Sequence, residues 1–145
     1  MSWYTDWFLA DEGEAEAVAG IADDDEHSFD DWPHLAMKSI GDMELMSLRG
    51  VLRGEESTAE YEGDTLYQRY DDEGGVAVCR VLPEFIVELA ALSPKQVKRV
   101  AGQWRQHESM ADWEPGTVAA VLREMIEFAR RAGREGKPVL QCSTW

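Results

Sequence analysis

Four side chains within eight residues are of the types that bind divalent metal ions: His27, Asp30, Asp31 and His34. Imidazole nitrogens and carboxylate oxygens are competent ligands for zinc and similar ions. The two histidines are seven residues apart and would share a face only in a helix, which Pro33 disfavours because it lacks a backbone donor. The chain also has no HExxH motif and no EF-hand pattern. We therefore predict neither a metal site nor a cofactor.

Carboxylates are concentrated in the first half of the chain, and this uneven distribution is the strongest functional signal. Residues 1–75 hold 21 Asp and Glu against four Lys and Arg, whereas residues 76–145 hold eight against ten. The formal net charge of the chain is −15. The negative electrostatic potential of such a protein repels nucleic acid and anionic membranes and attracts basic partners.

The densest acidic run lies in residues 23–34, which we predict to form a loop that binds a basic protein partner. Like charges this close together resist a compact regular element. Trp32 is the predicted buried anchor, since an indole among carboxylates is typical of an interface. The predicted binding residues are Asp23, Asp24, Asp25, Glu26, Asp30, Asp31 and Trp32. Alternatively, the loop only maintains solubility, and Phe29 and Trp32 hold it against the core.

Motifs for catalysis are missing from the sequence, which has no G-x-S-x-G elbow, no P-loop and no G-x-G-x-x-G. The absence of these motifs therefore favours a non-enzymatic protein. The alternative hypothesis is a small enzyme or small-molecule-binding domain with a pocket beside Trp104 and Trp113, and with His107 or His34 as its acid or base. Both tryptophans flank a short polar connection between two predicted helices, so a competing interpretation is that they fill the corner between those helices.

A cationic patch is predicted on one helix, where Lys95, Lys98 and Arg99 share a face with Arg105 close by. An isolated patch of this kind could bind nucleic acid. Because the whole chain is strongly acidic, we expect no nucleic-acid partner. We predict instead that the patch neutralises the acidic half of the protein or contributes to a dimer contact, so that the protein is a monomer or a homodimer.

The elements that must position these residues follow from periodicity and capping signals, which predict one α+β domain over residues 1–145. The domain is expected to have one mixed, mostly antiparallel sheet of about five strands, with helices mainly on one face. Residues 76–82 are apolar except for Arg80 and are predicted to be the central strand. Cys79 and Cys142 are expected to be buried reduced thiols. The predicted strands are 3–9, 35–40, 65–70, 76–82 and 138–145, and the predicted helices are 12–22, 42–53, 83–92, 94–107 and 115 to Gly133 or Gly136.

The C-terminal third resembles the YfbM-like family of uncharacterised small bacterial proteins. The resemblance lies in Leu92-Ser93-Pro94 followed by Val97 and Trp113, and in a long helix that contains Glu127-Phe128 and runs through Gly136-Lys137-Pro138 into a strand. It implies an α+β cytosolic domain, and it implies no activity and no catalytic residues.

These observations favour a non-enzymatic interaction module of the bacterial cytosol. No segment reaches the roughly 20 apolar residues of a membrane span, and the first residues lack the basic region of a signal peptide, so we expect a cytoplasmic protein. An immunity protein that neutralises a basic nuclease is one concrete version. A nucleic-acid mimic, whose carboxylates imitate phosphate spacing, is a further alternative.

Overall fold

The computed structural model describes residues 4–22, 31–55 and 57–145, which form five strands and five α-helices. The strands are β1 (Tyr4–Leu9), β2 (His34–Lys38), β3 (Glu62–Asp71), β4 (Gly74–Val81) and β5 (Val139–Thr144). The helices are α1 (Ala15–Ala19), α2 (Asp42–Leu52), α3 (Pro83–Ala90), α4 (Pro94–Arg105) and α5 (Pro115–Glu135). Short 3-10 turns occur at Glu12–Glu14, Gly20–Ala22 and Glu108–Met110.

The five strands form one sheet in the order β2-β1-β5-β4-β3, and all pairs among them are antiparallel. This confirms the predicted α+β fold. The prediction that residues 76–82 form the central strand is wrong, because β5 occupies the middle position. β4 still has a neighbour on each side, which explains why its sequence is apolar on both faces.

Helices cover mainly one face of the sheet, as predicted. On this main face, Trp7 packs edge-on against Phe85 of α3, with ring centroids 6.0 Å apart, and also contacts Phe128 of α5. The opposite, second face is covered by α1, whose Val18 is packed with Phe8 and other apolar side chains. Side chains of β1 therefore contribute to both cores, because successive side chains of a strand point to opposite faces of the sheet.

Helix ends follow the capping signals closely. Ser93 caps α4, and its backbone N–H donates to the Gln96 carboxamide at 2.8 Å, completing a capping box. Gly136 ends α5 with a φ of +64°, a left-handed conformation that favours glycine. At α2 the sequence predicts Asp42 as the N-cap, and this is wrong by one residue, because Gly41 is the N-cap and its N–H donates to Glu44.

Several element boundaries also differ from the predictions. The hairpin turn spans only Asp72 and Glu73, since β3 and β4 extend into the predicted five-residue turn. β3 begins at Glu62 because an edge strand can pair its backbone while its polar side chains stay in solvent. The first predicted helix is a short α-helix flanked by 3-10 turns, and β2 begins one residue early, at His34.

Polar side chains cross the main core in a connected series. The Trp7 indole donates to the Gln141 carboxamide oxygen at 3.0 Å, and Gln141 donates to the Tyr61 hydroxyl at 2.8 Å. Tyr61 in turn donates to the carboxylate of Asp42 at the surface. Burial, followed by the carboxylate of Asp42, raises the pKa of Tyr61 far above its ordinary value, so the phenol stays protonated.

Both cysteines are buried free thiols, as predicted, and they lie on opposite faces of the sheet. Cys79 is opposite Gln141, on the main face, whereas Cys142 is opposite Val78 and belongs to the second core. Burial raises the pKa of both thiols, that of Cys142 to about 12. The fold therefore holds them apart and protonated.

Candidate functional site

Most of the predicted acidic loop lies outside the described residues. Asp23, Asp24, Asp25, Glu26 and Asp30 fall in this part of the chain, as do His27 and Phe29. Asp31 is exposed and Trp32 is half-buried. They are the first described residues after this part of the chain.

Trp32 is fixed on the second face of the sheet. Its indole N–H donates to Glu14 at 2.9 Å, and its ring meets Phe8 edge-on with centroids 6.3 Å apart. The hydrogen bond from Trp32, followed by a backbone hydrogen bond from Asp11, lowers the pKa of Glu14. Ile21, which precedes the undescribed segment, packs against the same core. Both flanks of residues 23–30 therefore lie on the second face.

The two layers of the molecule carry different charges. Residues 11–31, which contain α1, hold ten acidic residues and no Lys or Arg. Helices α4 and α5, on the main face, hold eight of the fourteen Lys and Arg. Of residues 11–31, the structure describes 11–22 and 31, which hold five acidic residues and flank the core of the second face. We use the name acidic surface for residues 11–31 of the sequence.

The predicted metal-competent residues are only partly described. His34 opens β2 and stacks on Phe8, with ring centroids 5.9 Å apart. It lies near Asp6, whose pKa is raised by burial, an effect that the charge of His34 partly offsets. Among the described residues, no three His, Cys, Asp or Glu side chains are grouped in a way that could hold a metal ion.

Trp104 is a core residue and not the rim of a cleft. Its side chain is 0% exposed, and its N–H donates to the backbone oxygen of Glu44 at 2.9 Å and to Ser47 at 3.1 Å. It therefore fills the junction between α2 and α4, whereas the competing interpretation places it at the corner between α4 and α5. Trp113 is half-buried against the main core, and its backbone oxygen accepts a hydrogen bond from Arg105 at 2.6 Å.

His107 borders an open cleft of about 620 Å³ between α2 and the end of α4. Neither Trp104 nor Trp113 lines this cleft. His107 Nδ1 is 2.8 Å from the Ser109 hydroxyl and also accepts the Ser109 backbone N–H, so it caps the following 3-10 turn. No carboxylate within the described part of the chain hydrogen-bonds this imidazole. The arrangement therefore lacks the orienting group of a catalytic histidine.

The predicted cationic patch is exposed on α4. Lys95, Lys98 and Arg99 all lie in solvent, and none forms an ion pair with another residue in the described ranges. Arg105 is half-buried and bonds to the Trp113 carbonyl instead. Direct pairing between this patch and the acidic half is therefore not seen in these ranges.

A second cleft, of about 610 Å³, was not anticipated from the sequence. It lies between the start of α3 and the end of α5, and Arg80 and Lys137 border it together with apolar side chains. Arg80 contacts Glu12 at 3.0 Å, and Lys137 contacts Asp11 at 3.6 Å. Arg80 Nε is the one buried side-chain nitrogen or oxygen in the described ranges that has no hydrogen-bond partner.

The signal for this cleft was present in the sequence. Arg80 is the one charged residue in the apolar run 76–82. A charged side chain in such a strand must reach a partner or a cleft, because its burial without one is costly.

Comparison with known proteins found no family model, no curated protein and no solved structure that matches the chain. The resemblance to the YfbM-like family stays a prediction. None of the described helices has both the length and the apolar composition needed to cross a membrane.

Proposed function

We propose that this protein is a non-enzymatic interaction module of the bacterial cytosol that binds a basic protein partner through its acidic surface. The observation that carries the proposal is that residues 11–31 hold ten acidic residues and no Lys or Arg, and that α1 within this range lies on the face of the sheet opposite α4 and α5. Such a surface attracts basic partners and accelerates their association more than it increases final affinity. An immunity protein directed against a basic nuclease is one concrete form of this function.

The contacts of Trp32 favour a positioning role. Its N–H is occupied by Glu14, and its ring packs on Phe8. We therefore propose that Trp32 holds one end of the acidic segment against the second face, so that the carboxylates and not the indole meet the partner.

The experiment compares two charge variants that remove the same number of negative charges. The test variant carries Asp24→Asn, Asp25→Asn and Asp31→Asn, and the matched control carries Asp64→Asn, Asp72→Asn and Glu73→Gln, all exposed in β3 or its turn. Each protein is immobilised and used to capture partners from a lysate of the source organism at low and high salt. The captured protein is then purified, and its association rate with each variant is measured.

We expect a basic partner that the wild type and the control bind equally at low salt. The test variant should associate roughly tenfold more slowly, because electrostatic steering is lost. An equal loss in both variants would show that net charge governs binding, and unchanged association with the test variant would remove the acidic segment from the mechanism. If DNA competes with the protein for the partner, the nucleic-acid-mimic alternative gains support.

A further inference from the structure

We propose that the cleft between α3 and the end of α5 binds a small amphipathic carboxylate. The carboxylate group would contact Arg80 and Lys137, and the apolar chain would lie along Ile86 and Val87. This site adjoins the acidic surface at Asp11 and Glu12, but its test does not depend on the partner-binding function proposed for that surface.

The apolar wall of the cleft is the outer side of α3, which exposes apolar side-chain surface. Helix α3 contains Phe85, Ile86, Val87 and Leu89, of which Phe85 and Leu89 are buried in the main core. Val87 is 66% exposed, and it borders the cleft together with half-buried Ile86. A helix that is apolar on nearly all sides normally buries its whole surface, so the outer side of α3 fits an apolar occupant.

The polar end of the cleft supplies donors for an anion. Arg80 Nη1 is held by Glu12 at 3.0 Å, whereas Arg80 Nε lacks an acceptor. Because Nε is buried, a carboxylate in the cleft would meet the exposed part of the Arg80 side chain, where a guanidinium forms charge-assisted hydrogen bonds with carboxylate oxygens. Lys137 adds a second positive charge at the same end of the cleft.

The carboxylates already present do not block such a ligand. Glu12 and Asp11 are largely exposed, as are their partners Arg80 and Lys137, with side-chain exposures between 42% and 67%. Exposed ion pairs of this kind stabilise a protein little and exchange readily. The cleft volume of about 610 Å³ is within the range of small-molecule sites. Asp11 and Glu12 also line the cleft, so an amine is the competing ligand and the titration includes one.

Gly133 provides a way to fill the cleft without disturbing the core. It lies on α5 at the cleft wall, and a Cβ placed there would meet no atom within 4 Å. Gly102 of α4 is a matched control, since it is also a helical glycine whose Cβ would meet nothing within 4 Å. Leucine at either position adds the same apolar volume, but only Gly133→Leu places it in the cleft.

The experiment titrates the full chain with hexanoate, hexan-1-ol, hexylammonium and inorganic phosphate, following backbone amide resonances. We expect saturable binding of hexanoate alone, with shifts centred on Arg80, Val87 and Lys137. Gly133→Leu should weaken hexanoate binding by roughly tenfold or more, which corresponds to loss of the apolar contact. Gly102→Leu should leave the affinity unchanged, and Gly133→Ala should give an intermediate effect.

Four results would overturn the proposal. Hexan-1-ol binding as tightly as hexanoate would remove the role of Arg80 and Lys137, and phosphate binding as tightly would remove the role of the apolar wall. Equal hexanoate affinity in wild type and Gly133→Leu, or no saturation up to the solubility limit, would show that the cleft is not the site. Thermal unfolding of each variant verifies that the loss reflects binding and not misfolding.

Discussion

Replacing Gln141 with leucine should destabilise the fold severely, although leucine is apolar and similar in size. Gln141 is 1% exposed and joins Trp7 to Tyr61 through hydrogen bonds of 3.0 and 2.8 Å. Gln141→Leu leaves the Trp7 N–H without an acceptor, and Trp7 is 0% exposed, so water cannot replace the lost partner. A buried unsatisfied donor costs roughly 1–3 kcal/mol.

The loss of a partner on Tyr61 adds a smaller cost, since its hydroxyl still donates to exposed Asp42. We therefore expect the free energy of unfolding to fall by about 2–3 kcal/mol in Gln141→Leu. For a chain of this length, the corresponding fall in Tm is roughly 5–10 °C. Urea unfolding monitored by tryptophan fluorescence gives the free energy, and calorimetry gives Tm.

A double-mutant cycle with Tyr61→Phe separates the hydrogen-bond contribution from general packing. Both single variants break the same Gln141–Tyr61 contact, so the double variant should lose about 1 kcal/mol less than the sum of the single losses. A Gln141→Leu variant within about 0.5 kcal/mol of wild type would refute the argument that Trp7 depends on this acceptor. Strict additivity would refute the contact between Gln141 and Tyr61.

Two further substitutions test the electrostatics of the sheet and the end of α5. Burial raises the pKa of Asp6 in the folded protein, so the charged carboxylate destabilises the fold at neutral pH. This destabilisation decreases as the pH falls through the raised pKa. It is absent below the pKa of the unfolded state, about 3.9, where Asp6 is protonated in both states. Asp6→Asn should therefore raise Tm at pH 7 but not at pH 3, and a gain that persists at pH 3 would contradict this cause. Gly136→Ala should lower the free energy of unfolding by roughly 1 kcal/mol, because φ at this position is +64°. Gly102→Ala, inside α4, should leave the free energy of unfolding unchanged or raise it. Chemical denaturation measures both values.

Local signals predicted the elements well, because they depend on neighbouring residues. The Ser93-Pro94 pair placed the start of α4, and of the two glycines predicted to end α5, Gly133 and Gly136, the structure selects Gly136. Strand order was not predictable in the same way. The apolar run in β5 resembles that in β4, and only non-local pairing with β1 and β4 makes β5 central.

The tryptophans illustrate a different limit of sequence reasoning. Trp32 had two interpretations, interface anchor or contact with the core, and Trp104 had two others, rim of a pocket or filling of a helix corner, and the sequence could not separate either pair. In both cases the indole N–H found an intramolecular acceptor, Glu14 for Trp32 and Glu44 for Trp104. Each acceptor is many residues distant along the chain, so the outcome depended on tertiary packing that periodicity does not encode.

Net charge is a poor description of a molecule in which a sheet divides the charges. The Debye length at physiological ionic strength is about 8 Å, and each helical layer is about 10 Å thick. A partner at the acidic surface therefore responds mainly to local carboxylates and little to Lys95 and Lys98, which belong to the main-face layer. Lys95→Gln with Lys98→Gln makes the chain more acidic, yet it should leave the partner's association rate nearly unchanged at 0.15 M ionic strength. A clear acceleration would show that the charge of the whole molecule, and not the acidic surface, steers the partner.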